Sequence, residues 1–222
     1  MNRVVVRTAL MVCLIIPPPA HAAESLFVLA ESSDVEAFMN TIVDEFGVDY
    51  DLVDIVDTVR DGNGWSLIHR AAMSNNTTLV EHFLSVGVPP DLKAGAVSAT
   101  SLHMAIRANA TNTVLALLDH DASWSSLDLN ERSPLEWAYL FRDVGLLDLL
   151  LQRGADPNAP FARIYRSLDR LGANIENTEY SAIIDLFDAY GFDEEYHRSL
   201  RLQTVEPLDG EVMDGDFGES GE

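Results

Sequence analysis

The chain has 222 residues and carries 36 acidic against 14 basic side chains, a net charge of −22. A field of that sign repels nucleic acid and anionic lipid headgroups; it either favours basic proteins as partners or serves solubility alone, as in organisms from salty water, and the sequence leaves both readings open. The single cysteine, Cys13, lies within the first 22 residues, so the remainder has no disulfide, thiolate nucleophile or cysteine-bound metal.

In chain order, residues 1–22 read as a processing segment. Arg3 and Arg7 form a positive stretch ahead of an apolar run from Thr8 to Ile16, followed by Pro17-Pro18-Pro19 and Ala20-His21-Ala22. Basic, apolar and small residues in that order make a secretory signal peptide, cut near Ala23. The run is too short for the roughly 20 apolar residues of a membrane span, so no membrane insertion is expected once it is removed. Export places the mature chain in the periplasm or outside the cell, with a charge of 12 − 36 = −24.

Residues 23–60 read as an atypical N-terminal capping unit. Leu26 to Ala30 and Asp34 to Phe38 open two helices that end at Gly47. An acidic insertion follows, with Asp49, Asp51, Asp54 and Asp57. Four close aspartates invite a cation, but a solvated loop is the expectation here.

Residues 61–158 carry a pattern that recurs every 33 to 34 positions. Gly64-Trp65-Ser66-Leu67-Ile68-His69-Arg70-Ala71 is repeated as Ala99-Thr100-Ser101-Leu102-His103-Met104-Ala105 and as Arg132-Ser133-Pro134-Leu135-Glu136-Trp137-Ala138. A second apolar run follows each, ending in a turn at Gly87, Asp121 and Gly154. Ser66, Thr100 and Ser133 stand where helix N-cap hydroxyls belong, and Pro134 is at the first helical position, where no hydrogen bond is lost. Small Ala71, Ala105 and Ala138 allow close helix approach. Beyond Asn158, residues 159–203 read as an atypical C-terminal capping unit. It comprises Phe161 to Leu171, Tyr180 to Tyr190 with a turn at Gly191, and a short helix from Glu194 to Leu202. Residues 204–222 are acidic and glycine-interrupted, the composition of a disordered tail.

These residues resemble the ankyrin repeat. Its family pattern is a hairpin finger, Gly-x-Thr-Pro-Leu-His-x-Ala-Ala, a turn, a second helix and Gly-Ala-Asp-x-Asn, with a period near 33. Gly64, Ser66, His69, Ala71-Ala72 and Gly87 follow it without a gap, and Gly154-Ala155-Asp156-Pro157-Asn158 is its clearest single match. The resemblance implies an all-α solenoid of about five helix pairs with short hairpin fingers. Such stacks are mostly binding surfaces.

Motifs for chemistry are missing. His69 and His103 share one repeat position, which in the family bridges neighbouring fingers by hydrogen bonds, and Glu136 replaces them in the next unit. No His-Glu-x-x-His zinc site, nucleophile elbow or phosphate loop occurs. The expected protein is not an enzyme and takes no cofactor and no metal. A second reading stays open: an enzyme or regulatory subunit with a site in residues 48–60 or 159–203, where Arg163, Tyr165, Arg166, Asp169 and Arg170 read more simply as one face of a capping helix.

In the family, partners meet the finger tips and the exposed side of the first helices. Mapped onto this chain, these places hold Trp65, Met73, Ser74, Arg107, Arg132, Leu140 and Phe141. Large apolar and aromatic residues in exposed places mark contacts. The expected partner is another protein, with a basic surface, and the oligomeric state is left open.

Overall fold

A computed structural model describes residues 20–32, 34–47, 51–158 and 178–193. The run from Thr8 to Ile16, Asp49, the Phe161 to Leu171 helix, the helix from Glu194 and the acidic tail lie outside the described residues. The chain forms two units, divided after Ala155.

The first unit is a stack of helix pairs. α1 (Ala20–Glu31) and α2 (Val35–Phe46) form the first pair, α4 (Leu67–Met73) and α5 (Thr77–Ser85) the second. α6 (Ser101–Arg107) and α7 (Thr111–Asp119) follow, then α8 (Pro134–Leu140) and α9 (Val144–Gln152). α4, α6 and α8 have seven residues each and α5, α7 and α9 nine, so the period of the sequence is the period of the stack. The first helices pack in the order α1, α4, α6, α8, and α5 packs on α7. Ala71, Ala105 and Ala138 are wholly buried, which is what close first-helix packing requires. Phe38 of α2 meets Phe83 of α5 edge to face, with ring centroids 5.5 Å apart. In the second unit, α10 (Thr178–Ala189) buries Ile183 and Phe187, and Asn158 Nδ2 donates to the Gly191 carbonyl at 3.3 Å.

The acidic insertion differs from its expectation. Residues 52–58 form a helix, α3 (Leu52–Thr58), which packs on α4 and α5. Leu52, Ile55, Val56 and Val59 are buried, an i, i+3, i+4, i+7 stripe that seats one helical face. Asp51 is the N-cap, its Oδ1 accepting from Val53 N at 2.9 Å. It therefore satisfies a free helix amide.

The fingers are short. One carries a ladder, β1 (Lys93–Ala94) antiparallel to β2 (Ala99–Thr100), with Ala94 opposite Ala99. The finger at residues 61–65 is a tight turn, closed by Asp61 N donating to Trp65 O at 3.0 Å. Neighbouring fingers are joined by main-chain bonds, Gly95 N to Gly64 O at 2.9 Å and Leu129 N to Val97 O at 2.7 Å.

Gly95 is held to glycine twice over. Its φ is +72°, and a Cβ there would sit 2.5 Å from the Trp65 ring. Gly95→Ala is expected to lower stability by about 2 kcal/mol in denaturant melts, through overpacking and backbone strain. Gly62→Ala, with open space around its Cβ and no such φ, is expected to stay within about 0.5 kcal/mol of the parent.

Candidate protein-binding face

Two buried imidazoles tie the repeats together. His69 Nε2 donates to the Ala99 carbonyl at 3.0 Å and His103 Nε2 to the Arg132 carbonyl at 3.1 Å. A carbonyl only accepts, so Nε2 carries the proton. Burial lowers both pKa values to about 4, against the opposing effect of those carbonyl bonds, so the rings are neutral at pH 7 and Nδ1 is an acceptor. Ser66 Oγ then donates to His69 Nδ1 at 2.7 Å and Thr100 Oγ1 to His103 Nδ1 at 2.8 Å.

This corrects one expectation. At Ser66 the capping hydroxyl serves the ring and makes no bond to a free helix amide. Ser133, whose partner is Glu136, does cap in the ordinary way: its Oγ accepts from Glu136 N at 3.2 Å, and Glu136 Oε2 accepts from Ser133 N at 2.7 Å. That is the reciprocal capping box.

The third finger is organised by Asp128, whose side chain is wholly buried. Its Oδ1 accepts from Asn130 N at 2.8 Å and Arg132 N at 2.9 Å. Oδ2 accepts from Arg132 Nε at 2.9 Å and Trp137 Nε1 at 3.1 Å. Burial pushes this carboxyl upward, but the hydrogen bonds from Arg132 and Trp137 outweigh it and hold the pKa below the ordinary carboxylate value. The Arg132 guanidinium also lies 5.4 Å from the centre of the Trp137 ring, a cation–π stack.

Each sequence-derived contact residue can now be placed. Met73 and Ser74, half-buried, end α4; Arg107, exposed, ends α6; Leu140 and Phe141, 52% and 50% exposed, end α8. These three helices are neighbours, so the residues share one edge of the stack. Trp65 and Arg132 lie at the fingers instead. Trp65 is half-buried and seated on Gly95, so much of its ring serves the neighbouring finger. Arg132 is half-buried and ion-paired to Asp128 at 2.7 Å. Trp137 links the two groups, since Arg132 stacks on it and Phe141 meets it edge to face at 6.0 Å. Trp137 and Tyr139 are both core residues, and His120 is exposed, whereas His82 is half-buried.

Sequence reasoning missed Leu127 and Leu129, which flank Asp128 and are 43% and 70% exposed. The available signal was apolar residues alternating with polar ones in a finger that lacks glycine. Among the described residues, no group of three or more His, Cys, Asp or Glu is placed to hold a metal ion. No described helix is long and apolar enough to cross a membrane.

Known proteins match this architecture. The family model described as ankyrin repeats (3 copies) matches residues 26–128 and 68–160. The chain is 33% identical over 111 residues to palmitoyltransferase ZDHHC13 of Homo sapiens, covering 49% of this chain and 18% of that protein. It is 35% identical over 94 residues to a putative ankyrin repeat protein of Fowlpox virus, covering 42% of this chain and 21% of the relative. The transient receptor potential channel pyrexia of Drosophila melanogaster is 31% identical over 102 residues, 46% of this chain and 11% of the channel. The chain thus spans about a fifth or less of the length of these relatives.

Proposed function

The chain belongs to the ankyrin-repeat family, and from that premise we propose that it is an exported module that binds a basic partner protein. Ankyrin repeats make it a protein–protein interaction module. The face we assign runs along Trp65, Met73, Ser74, Arg107, Arg132, Leu140 and Phe141. The observation that carries this assignment is the pair Leu140 and Phe141, both about half exposed at the end of α8. Beyond the edge-to-face contact of Phe141 with Trp137, half of each side chain stands in water, and aromatic anchors supply much of the energy of interfaces. The net charge of −22 supports a basic partner, and the segment before Ala23 supports export. Within this reading the chain is an accessory or inhibitor, such as an immunity factor, that covers a basic site on an exported enzyme or toxin.

The test is capture from a native periplasmic extract with the parent and with the Leu140→Ala, Phe141→Ala double variant. A partner bound by the parent and weakened at least tenfold in the variant supports the face, since an interface anchor is worth about 2 kcal/mol or more. Binding should weaken as salt shortens the screening length from about 10 Å to about 3 Å. A partner held equally by both proteins would overturn the face. Binding indifferent to salt would overturn the charge argument.

A further inference from the structure

Among the described residues there are seven Arg and Lys side chains, and six of them are engaged. Arg60 meets Asp57, Arg70 meets Glu31 and Asp61, Arg132 meets Asp128, and Arg153 meets Asp119. Lys93 Nζ donates to the Leu127 carbonyl at 2.8 Å, and Arg142 has a contact of its own. Arg107 alone has neither a hydrogen bond nor an ion pair to any described residue, and it is exposed. In a chain with 36 acidic side chains, a guanidinium with no carboxylate in reach marks a place from which acid is missing.

That place is the edge of the stack assigned above to binding. Met73, Arg107 and Leu140 are the last residues of α4, α6 and α8, which are neighbours, so Arg107 stands between two apolar side chains in one row. Phe141 follows Leu140, and its counterpart after α6 is the small Ala108. The turns at residues 73–78, 107–112 and 140–145 contain one acidic residue, Asp143. Its Oδ1 is spent as the N-cap of α9, accepting from Leu146 N at 3.0 Å. Helix ends add little charge, because the C-termini of α4, α6 and α8 meet the N-termini of α5, α7 and α9 along this edge, and their partial charges offset. The edge is therefore locally cationic and apolar within an acidic chain. A guanidinium takes a carboxylate with two parallel N–H groups. Apolar surface that sheds water on contact lowers the local dielectric and strengthens such a pair.

We propose that Arg107 receives an aspartate or glutamate side chain of the partner protein, flanked by apolar side chains that cover Met73, Leu140 and Phe141. The proposal rests on the interaction reading above and sets the chemistry of one contact within it. The field of the whole chain attracts a basic partner, and this carboxylate fixes where that partner sits. The probe is a blocked leucyl-glutamyl-leucine tripeptide, with glutamine or lysine replacing glutamate in its controls, titrated into the ¹⁵N-labelled protein. Saturable shifts are expected at the amides of Arg107, Ala108 and Phe141. The glutamate peptide should bind at least about threefold tighter than the glutamine peptide, the order of an exposed charge pair. The net charge of −22 opposes an anionic peptide, so this preference has to come from the edge itself. Arg107→Gln should abolish it without moving amides away from the edge. Leu140→Ala, Phe141→Ala should weaken the glutamate and glutamine peptides alike and leave the preference intact. Equal binding of those two peptides, tighter binding of the lysine peptide at this edge, a preference that survives Arg107→Gln, or shifts confined to other faces would overturn the proposal. The two readings fail separately. Without the Arg107 contact, the captured partner still depends on Leu140 and Phe141 but is held as tightly by Arg107→Gln as by the parent. Without the interaction reading, the glutamate preference remains while no partner is captured.

Discussion

Asp128→Ala is expected to remove about 3–5 kcal/mol of stability, the usual cost of breaking one side of a buried ion pair. The carboxylate takes four N–H groups, two from the finger backbone and two from Arg132 Nε and Trp137 Nε1. Alanine strands the Trp137 indole N–H in a core position and frees the guanidinium that covers its ring. Asp128→Asn should cost less, about 1–3 kcal/mol. It keeps an acceptor for the backbone but sets its own NH₂ against Arg132 Nε and Trp137 Nε1, leaving buried donors unpaired. Denaturant unfolding at pH 7, followed by Trp fluorescence and by far-ultraviolet circular dichroism, gives both values. Asp61→Ala is the comparison, since Asp61 has the same backbone duty but only a 3.4 Å ion pair with Arg70 on its outer oxygen. If the two alanine variants lost equal stability, the Arg132 and Trp137 bonds would contribute no more than the Asp61–Arg70 ion pair.

How much of this was legible in the sequence depends on how local each cause is. Ser66 with His69, Thr100 with His103 and Ser133 with Glu136 act over three residues, and their recurrence gave the helix starts correctly. α3 was within reach, because Leu52, Ile55, Val56 and Val59 have helical spacing, but aspartates among them made the segment look solvated. Asn75, Asn109 and Arg142 all have positive φ, near 55°. Nothing in an arginine announces that conformation, and only the register at intervals of 34 and 33 does. Gly95 stands where the other two fingers have aspartate, and its reason is the Trp65 ring from the preceding repeat. That Arg107 stands unpaired was out of reach for the same cause, since which carboxylates come near it is a product of packing.

The same buried histidines that join the fingers should make the stack sensitive to acid. Burial lowers His69 and His103 to about 4 from an ordinary 6.5, against the raising effect of their carbonyl bonds. Between those values the unfolded chain binds more protons than the folded one, so stability falls as pH falls. It is fully present above pH 6.5, declines below that, and levels off once the pH is under the folded value. At 1.36 kcal/mol per unit, each ring removes about 2 kcal/mol by pH 5 and about 3 kcal/mol by pH 4. Two rings therefore cost about 4 kcal/mol at pH 5, a large part of the 5–15 kcal/mol typical of a domain. Carboxylate protonation, which relieves repulsion in so acidic a chain, works in the opposite direction but sets in mainly below pH 5. The interval from 6.5 to 5 therefore isolates the histidines. A His69→Gln, His103→Gln variant removes both titrations; it should be weaker than the parent at pH 7 yet nearly flat across that interval. A parent as flat as the variant would mean that the rings accept protons without leaving their bonds to Ala99 and Arg132.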